Sequence, residues 1–561
     1  MISRREFVQM GIAAGTLLGA GANWSRLAAQ QALTQDDLLR FDPLGNVTLL
    51  HITDCHAQLV PLYFREPTVN IGVGEVQGLP PHVTGEAFLK RYGIDPGTAR
   101  AYALTDQDFA ALAQSYGRVG GMDRLATLIK SVRAERPDAL FFDGGDTWQG
   151  SLTSYRTQGE DMVKVMQALG TDAMTAHWEF TYGTDRVKEL VEQLGFDFVA
   201  GNVVDTEWEE PVFEATATYE RGGAKIAVIG QAFPYTPVAN PRYMIPEWSF
   251  GIRESLVQER VDAARADGAD LVVLLSHNGF DVDRKLASRV NGIDVVLTGH
   301  THDALPAAVE VNDTLLIASG SHGKFLSRID LDVRDGELKG YRYKLIPVFA
   351  DVIQPDPEMA ALIESIRAPY KAELETVLGR TDSVLYRRGN LNGTFDDVIC
   401  NALMEQRDAE IALSPGFRWG ASLIPGQDIT VEDVHNMTSI TYPATYRTGM
   451  TGELLKTILE DVADNLFNVD PYYQQGGDMV RVGGMGFTID PLKEIGSRIG
   501  NMTMLKSGDP VDPSREYTVA GWASVNEGTE GPPVWDVVSD HIRQHGTVTA
   551  EPHDNVRLIG G

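Results

Sequence analysis

Cysteine is nearly absent from this chain: Cys55 and Cys400 are the only two in 561 residues. A disulfide framework is therefore excluded, whatever compartment the protein works in. Positive charge is scarce as well. Lys and Arg number 48 against 78 Asp and Glu, giving a net charge of −30. Such a balance repels nucleic acid and anionic membrane surfaces, so neither is expected as a partner, and an anionic substrate would have to be attracted locally, by metal ions or a few arginines. There is no apolar run long enough for a permanent membrane anchor, no internal repeat and no low-complexity tract. What is present is an ordinary globular composition, 43% hydrophobic and 22% charged, on a chain too long for a single core. Two domains are expected.

The N-terminus carries Arg4-Arg5, an apolar run from Met10 to Ala22 and a small-residue site at Ala28-Ala29. This is the pattern of a Tat export signal over residues 1–30, which predicts a folded protein delivered to the periplasm. Residues 31–44 read as a tether. From 31 to 350, strand patterns ending in short loops (45–50, 138–142, 196–200, 225–230, 270–275, 294–297, 315–317) alternate with helical ones (161–169, 184–194, 254–266, 281–290). That rhythm predicts a layered α/β sandwich with its site beyond the carboxyl ends of the strands. Residues 57–117, rich in Pro, Gly and polar residues, read as an insertion and as one wall of a substrate channel. A linker at 351–380 holds one amphipathic helix at 357–378. Residues 381–561 read as a smaller α+β domain.

Five motifs fall at strand ends: Asp54-Cys-His56, Gly144-Gly-Asp146, Ala176-His177-Trp178-Glu179, Ser276-His277-Asn278 and Gly299-His300-Thr-His302. Together they offer two carboxylates and five of the chain's 12 histidines. Seven ligands are too many for one ion with open positions; two ions about 3.5–4 Å apart, sharing a bridging carboxylate, would use them all.

The runs His51-Ile-Thr-Asp-Cys-His-Ala-Gln58, Asp143 to Ser151 and His177 to Gly183 resemble the calcineurin-type metallophosphoesterases in their 5′-nucleotidase branch. Within that branch they are most similar to the SoxB-type thiosulfohydrolases of the Sox sulfur-oxidation system. The resemblance implies one metal on Asp54, His56, Asp146 and His302, a second on Asp146, His177, His277 and His300, and a shared water or hydroxide as nucleophile. It implies two manganese ions, although the donor set would also hold zinc or iron. It further implies a cysteine S-thiosulfonate on the SoxYZ carrier protein as substrate, with other Sox subunits as further candidate partners.

One departure separates the chain from ordinary nucleotidases, whose third motif is Gly-Asn-His-Glu. Here a ligand Asn has become His177, and the catalytic His has become Trp178. A persulfide leaves readily as an anion, so the lost histidine is dispensable for thiosulfonate hydrolysis. Trp178 is expected to pack against the carrier arm, and Arg418 to grip the sulfonate oxygens with its guanidinium fork. Arg447 and Arg481 are weaker candidates for that role. Gln58 and Asn278 are candidates for orienting water; Cys55, His51 and His322 are read as structural, and Asn202 as a turn residue. The alternative is a periplasmic 5′-nucleotidase-like phosphohydrolase, with a base held between two rings from Phe417, Trp419, Tyr446, Tyr472 and Tyr473.

Overall fold

Strands that are apolar on both faces must be covered on both faces, and the N-terminal half is built from such strands. The computed structural model describes residues 33–560; the export signal read on residues 1–30 lies outside them. Its main strands are β1 (Val47–Ile52), β2 (Leu140–Asp143), β3 (Ala173–Met174), β4 (Asp197–Phe198), β5 (Thr216–Arg221), β6 (Ala224–Gln231), β7 (Leu271–Ser276), β8 (Val295–Thr298), β9 (Val309–Val311), β10 (Thr314–Ala318), β11 (Phe325–Arg334) and β12 (Glu337–Pro347). They form two six-stranded sheets, ordered β12-β11-β1-β2-β3-β4 and β9-β10-β8-β7-β6-β5. β1 to β4 run parallel, as do β6, β7, β8 and β10. The antiparallel strands lie toward the edges. Leu49, Phe142, Val228, Val273, Leu297 and Ile329 are fully buried in one apolar layer shared by the two sheets. The helices Met122–Glu135, Glu160–Leu169, Glu254–Ala266 and Phe280–Arg289 contribute their apolar faces to a second core. Parallel strands release their loops at one edge, which is where the five motifs gather.

Three expectations are corrected. The 31–44 tether contains a helix, Gln35–Leu39, capped by the Thr34 hydroxyl and anchored by buried Leu38. The 57–117 stretch contains helices Gly85–Tyr92, Ala99–Leu104 and Phe109–Tyr116, whose Phe88, Leu89, Tyr102 and Leu112 join the core. Each is too short for its periodicity to stand out. The linker is not one helix: Pro357–Arg367 gives way to a 3₁₀ turn, Ala368–Tyr370, a short helix, Lys371–Leu374, and then a strand from Val377. Pro369 lacks the N–H that a continuous helix needs.

Beyond the linker, a four-stranded sheet ordered Thr445–Thr451, Glu516–Trp522, Ile411–Ser414, Arg481–Gly483 packs with the helices Thr394–Gln406 and Gly452–Phe467. The 57–117 stretch ties this domain to the first. Tyr63 bridges Ser422, and the Arg65 guanidinium lies 4.3 Å over the Tyr386 ring. Beside them Glu66 and Lys324 form a buried pair at 2.6 Å. Among the described residues no helix is long and apolar enough to cross a membrane.

Glu66→Ala strands the Lys324 ammonium in the interior. It should destabilise the fold by about 3–5 kcal/mol, whereas replacing both partners with apolar residues should recover most of that loss. Thermal denaturation compares the three proteins; an unchanged midpoint for Glu66→Ala would contradict the role given to this pair.

Candidate metal centre

Asp54 and His56 follow β1, Asp146 follows β2, His177 follows β3, His277 directly follows β7, and His300 and His302 follow β8. Asp54, His56, Asp146, His300 and His302 all have positive φ, between 46° and 72°. This left-handed region is uncommon outside glycine, and five such residues in three loops at one edge are backbone strain gathered at a site. Neighbouring glycines let the loops nest. A Cβ on Gly144 or on Gly299 would stand 2.5 Å from Thr53 Oγ1.

The seven side chains are buried and form two overlapping clusters, Asp54-His56-Asp146-His302 and Asp146-His177-His277-His300. Asp146 belongs to both. Its Oδ2 lies 3.2 Å from His177 Nδ1, 3.1 Å from His277 Nε2 and 3.8 Å from His56 Nε2. Asp54 Oδ1 lies 3.2 Å from His302 Nε2, which faces His56 Nε2 at 3.1 Å.

Outer partners set the ring orientations. His277 Nδ1–H donates to the Gly144 carbonyl at 2.6 Å, His300 Nε2–H to the Gln475 carbonyl at 2.9 Å, and His177 Nε2–H to Asn240 Oδ1 at 3.3 Å. With these tautomers, assigned from the hydrogen-bond partners, each ring turns its other nitrogen inward. His277 Nε2 and His300 Nδ1 are buried without a hydrogen bond of their own. Inward lone pairs, two carboxylates and a closed polar setting fit a pair of first-row divalent cations.

Protonation agrees with that fit. Burial lowers the pKa of His56 and His177, and takes His300 and His302 well below the usual imidazole value, leaving neutral donors. Burial opposes ionisation of Asp146, but His177 and His277 outweigh it and hold the carboxyl well below its ordinary value. Burial also raises Asp54, to about 6. At His277 burial favours the neutral ring, yet Asp146 and Asp54 prevail and push the pKa up to about 10. That imidazolium proton occupies the place a cation would take.

A third carboxylate fixes the loops. Glu179, fully buried, accepts the backbone N–H groups of His177 (2.7 Å), Thr147 (2.6 Å), Trp148 (3.2 Å) and Asp146 (3.3 Å). Asp283 braces β7 and β8 through side chains, accepting from the hydroxyls of Ser276 and Thr298 and the Asn278 amide. Glu179 stands inside the His-Trp-Glu motif and could have been found there. Asn240 and Gln475 lie on loops that carry no periodic signal.

Several expectations change. Gln58 spends its amide N–H groups on the carbonyls of His56 and Gly150, so they are not left to orient water; Asn278 donates to Asp283 but keeps a buried, unpartnered Oδ1. Arg481 is buried against Asp396 and Asp478, and Arg447 is spent on the carbonyls of Arg407 and Asp408 at the surface. The structural reading of three other residues holds: Cys55 is buried, His51 meets Ser319, and His322 accepts the Gly420 N–H. Asn202 spans Ala232 and Gly251.

A cleft of 730 Å³ opens from the cluster between the domains. Trp178, Phe417, Trp419 and Trp522 line it, and Arg418 reaches into it beside His300. Arg418 Nε lies 3.8 Å from Asp478 Oδ1, and its Nε and Nη1 make no hydrogen bond. Gly476 permits this closeness: a Cβ there would stand 2.5 Å from His300 Nε2 and 3.2 Å from Arg418 Nη1. No residue of 57–117 lines this cleft; Asn70, Ile71, Pro81 and His82 line a smaller pocket that shares His300, Arg418 and Gly476 with it. Of the aromatic candidates for a base clamp, Phe417, Trp419 and Tyr446 line the cleft, whereas Tyr472 and Tyr473 do not. Phe417 stacks on Trp419 at 5.5 Å and 15°, with Trp178 edge-on at 5.1 Å. Tyr446 lies over Gly521, Tyr472 under Lys285, and Tyr473 is exposed outside the cleft.

Comparison with known proteins agrees with this architecture. A family model described as the 5′-nucleotidase C-terminal domain matches residues 375–539. The structure of sulfate thiohydrolase SoxB from Thermus thermophilus superposes with a TM-score of 0.90 at 37% identity, covering 93% of this chain and 98% of that one. A 5′-nucleotidase precursor, also from Thermus thermophilus, shares the fold, with a TM-score of 0.73 at 21% identity over 92% of this chain and all of its own. Protein UshA of Yersinia enterocolitica is 23% identical over 78% of this chain and 86% of its own length.

Between about pH 7 and 9, where the other ligands already stand in their binding forms, loading metal should expel at least one proton, that of His277, and a further one where the bound water ionises. Apparent metal affinity should then rise at least about tenfold per pH unit. Calorimetry in buffers of different protonation enthalpy reads the proton count; metal uptake with no proton release would contradict it.

Proposed function

The chain belongs to the SoxB family, hydrolases that share a superfamily with the 5′-nucleotidases, and we propose that it is a periplasmic thiosulfohydrolase acting on a cysteine S-thiosulfonate of the SoxYZ carrier protein. The observation that carries this reading is the pair His177-Trp178. His177 is drawn into the metal cluster, and Trp178 stands at the cleft where a phosphoesterase would keep a histidine. The Trp178 N–H donates to Asp146 Oδ1 at 2.8 Å, so the backbone of this motif helps orient the shared carboxylate while its side chain serves the cleft.

Two divalent cations, manganese in this proposal, held by the two clusters would supply a water of lowered pKa and offset the charge of the sulfonate. In the reaction an S–O bond forms at the sulfonate sulfur as the S–S bond breaks, releasing sulfate and leaving a persulfide anion on the carrier cysteine. That anion needs no proton from the enzyme, which is why an indole can occupy the position. Arg418 offers two unpartnered N–H groups to the sulfonate oxygens, with its chain held by Asp478. Trp178, Phe417 and Trp419 give the arm apolar walls and keep bulk water from the reacting sulfur. At the mouth Val238 and Val525 are exposed, apolar surface suited to a protein partner rather than to a nucleotide.

The test is sulfate release by the metal-loaded protein from carrier-bound S-thiosulfonate, run beside phosphate release from AMP. Sulfate without phosphate is expected, and Arg418→Ala should lower kcat/KM for the carrier substrate by about 10- to 100-fold, the worth of a charged hydrogen bond. Phosphate without sulfate would overturn the assignment.

A further inference from the structure

Far from the cleft, the helices Thr394–Gln406 and Val534–His545 lie side by side, and their C-terminal turns meet. His541 and His545, four residues apart on one helix, share a face. Glu405 reaches them from the other helix. Its Oε2 lies 2.6 Å from His541 Nδ1 and 3.0 Å from His545 Nε2, and the three donor atoms fall within 4.8 Å of one another. We propose that Glu405, His541 and His545 form a peripheral binding site for a zinc-type divalent cation, separate from the dimetal cluster.

Three physical features support it beyond the spacing. Both helices end here, and a helix C-terminus carries the negative end of the dipole, so the place favours a cation. Glu405 is an anion at that unfavourable end, which a cation would correct. The carboxylate is also held ready: Gln544 Nε2 donates to Glu405 Oε1 at 2.8 Å, and Gln406 donates to Gln544 at 3.2 Å, leaving Oε2 for the ion. Two imidazoles and one carboxylate are a zinc donor set, and the rings can turn their N–H to the far nitrogen when an ion takes the near one. The fourth tetrahedral position falls to water, since His545 and Glu405 are open to solvent. An ion there would pin the end of the Thr394–Gln406 helix, whose first turn carries Asp396, the partner of Arg387 and Arg481 beneath the cleft.

The holoenzyme, loaded first at its dimetal centre, would be dialysed against zinc and its metals counted alongside His545→Ala and Glu405→Gln. The native protein should take up one zinc per chain beyond any that replaces the resident metal, and both variants should lose that zinc while keeping native activity and circular dichroism. Diffraction at the zinc edge should place a peak about 2.0–2.2 Å from His541 Nδ1, His545 Nε2 and Glu405 Oε2. Equal zinc counts in native and variant proteins, or no peak at that position, would overturn the proposal.

Discussion

The Asp146 carboxylate, buried and shared by two clusters, is the constraint on which the rest of the site depends. An anion without bulk water is costly unless it is paired, and here it is surrounded by His56, His177 and His277, with the Trp178 N–H on its second oxygen. The surrounding chain exists to hold that arrangement. Glu179 gathers four backbone N–H groups from the Asp146 and His177 loops, so those two loops cannot move independently. The positive φ values at five of the seven proposed ligands are the local cost of turning every side chain toward one point, and the interleaved parallel sheets are rigid enough to sustain it.

The second domain does more than cover this centre. Its Gln475 carbonyl orients His300, its Gly420 N–H is received by His322, and Arg388 donates to the Thr301 carbonyl between His300 and His302. Gly476 and Arg418 press against the same imidazole. The proposed substrate-gripping Arg418 and the His300-orienting Gln475 therefore come from two loops of the same domain, so a change in how the domains meet would be felt at His300 as well as in the cleft. The cleft itself is an aromatic passage ending at charged groups, a shape suited to an arm with an anionic tip.

Much of the fold and site was legible in the sequence because each signal was short-range and strong. Apolar runs such as Leu271 to Leu275, each followed at once by a polar motif, mark both a buried strand and the edge where it ends. The seven candidate ligands were found that way, and the structure brings them together. What stayed hidden depended on distant contacts. The helices of 85–116 are short, and their burial comes from packing that no local period records. The anchors Asn240 and Gln475 come from irregular loops, and Gln58 looks available in sequence partly because its second carbonyl partner, Gly150, lies far along the chain. The 57–117 stretch escaped for a similar reason: its proximity to Asp54 suggested a wall of the cleft, whereas Tyr63 and Arg65 instead fasten one domain to the other.

The most direct measurement is the metal content of the native protein against Asp146→Ala, His302→Ala and His300→Ala, each purified folded and loaded under the same conditions. A centre bridged by Asp146 predicts two ions per chain at the native centre, about one after loss of either histidine, and almost none after loss of the shared carboxylate. If Asp146→Ala kept both ions, or the native centre bound only one, the shared-carboxylate account would be wrong.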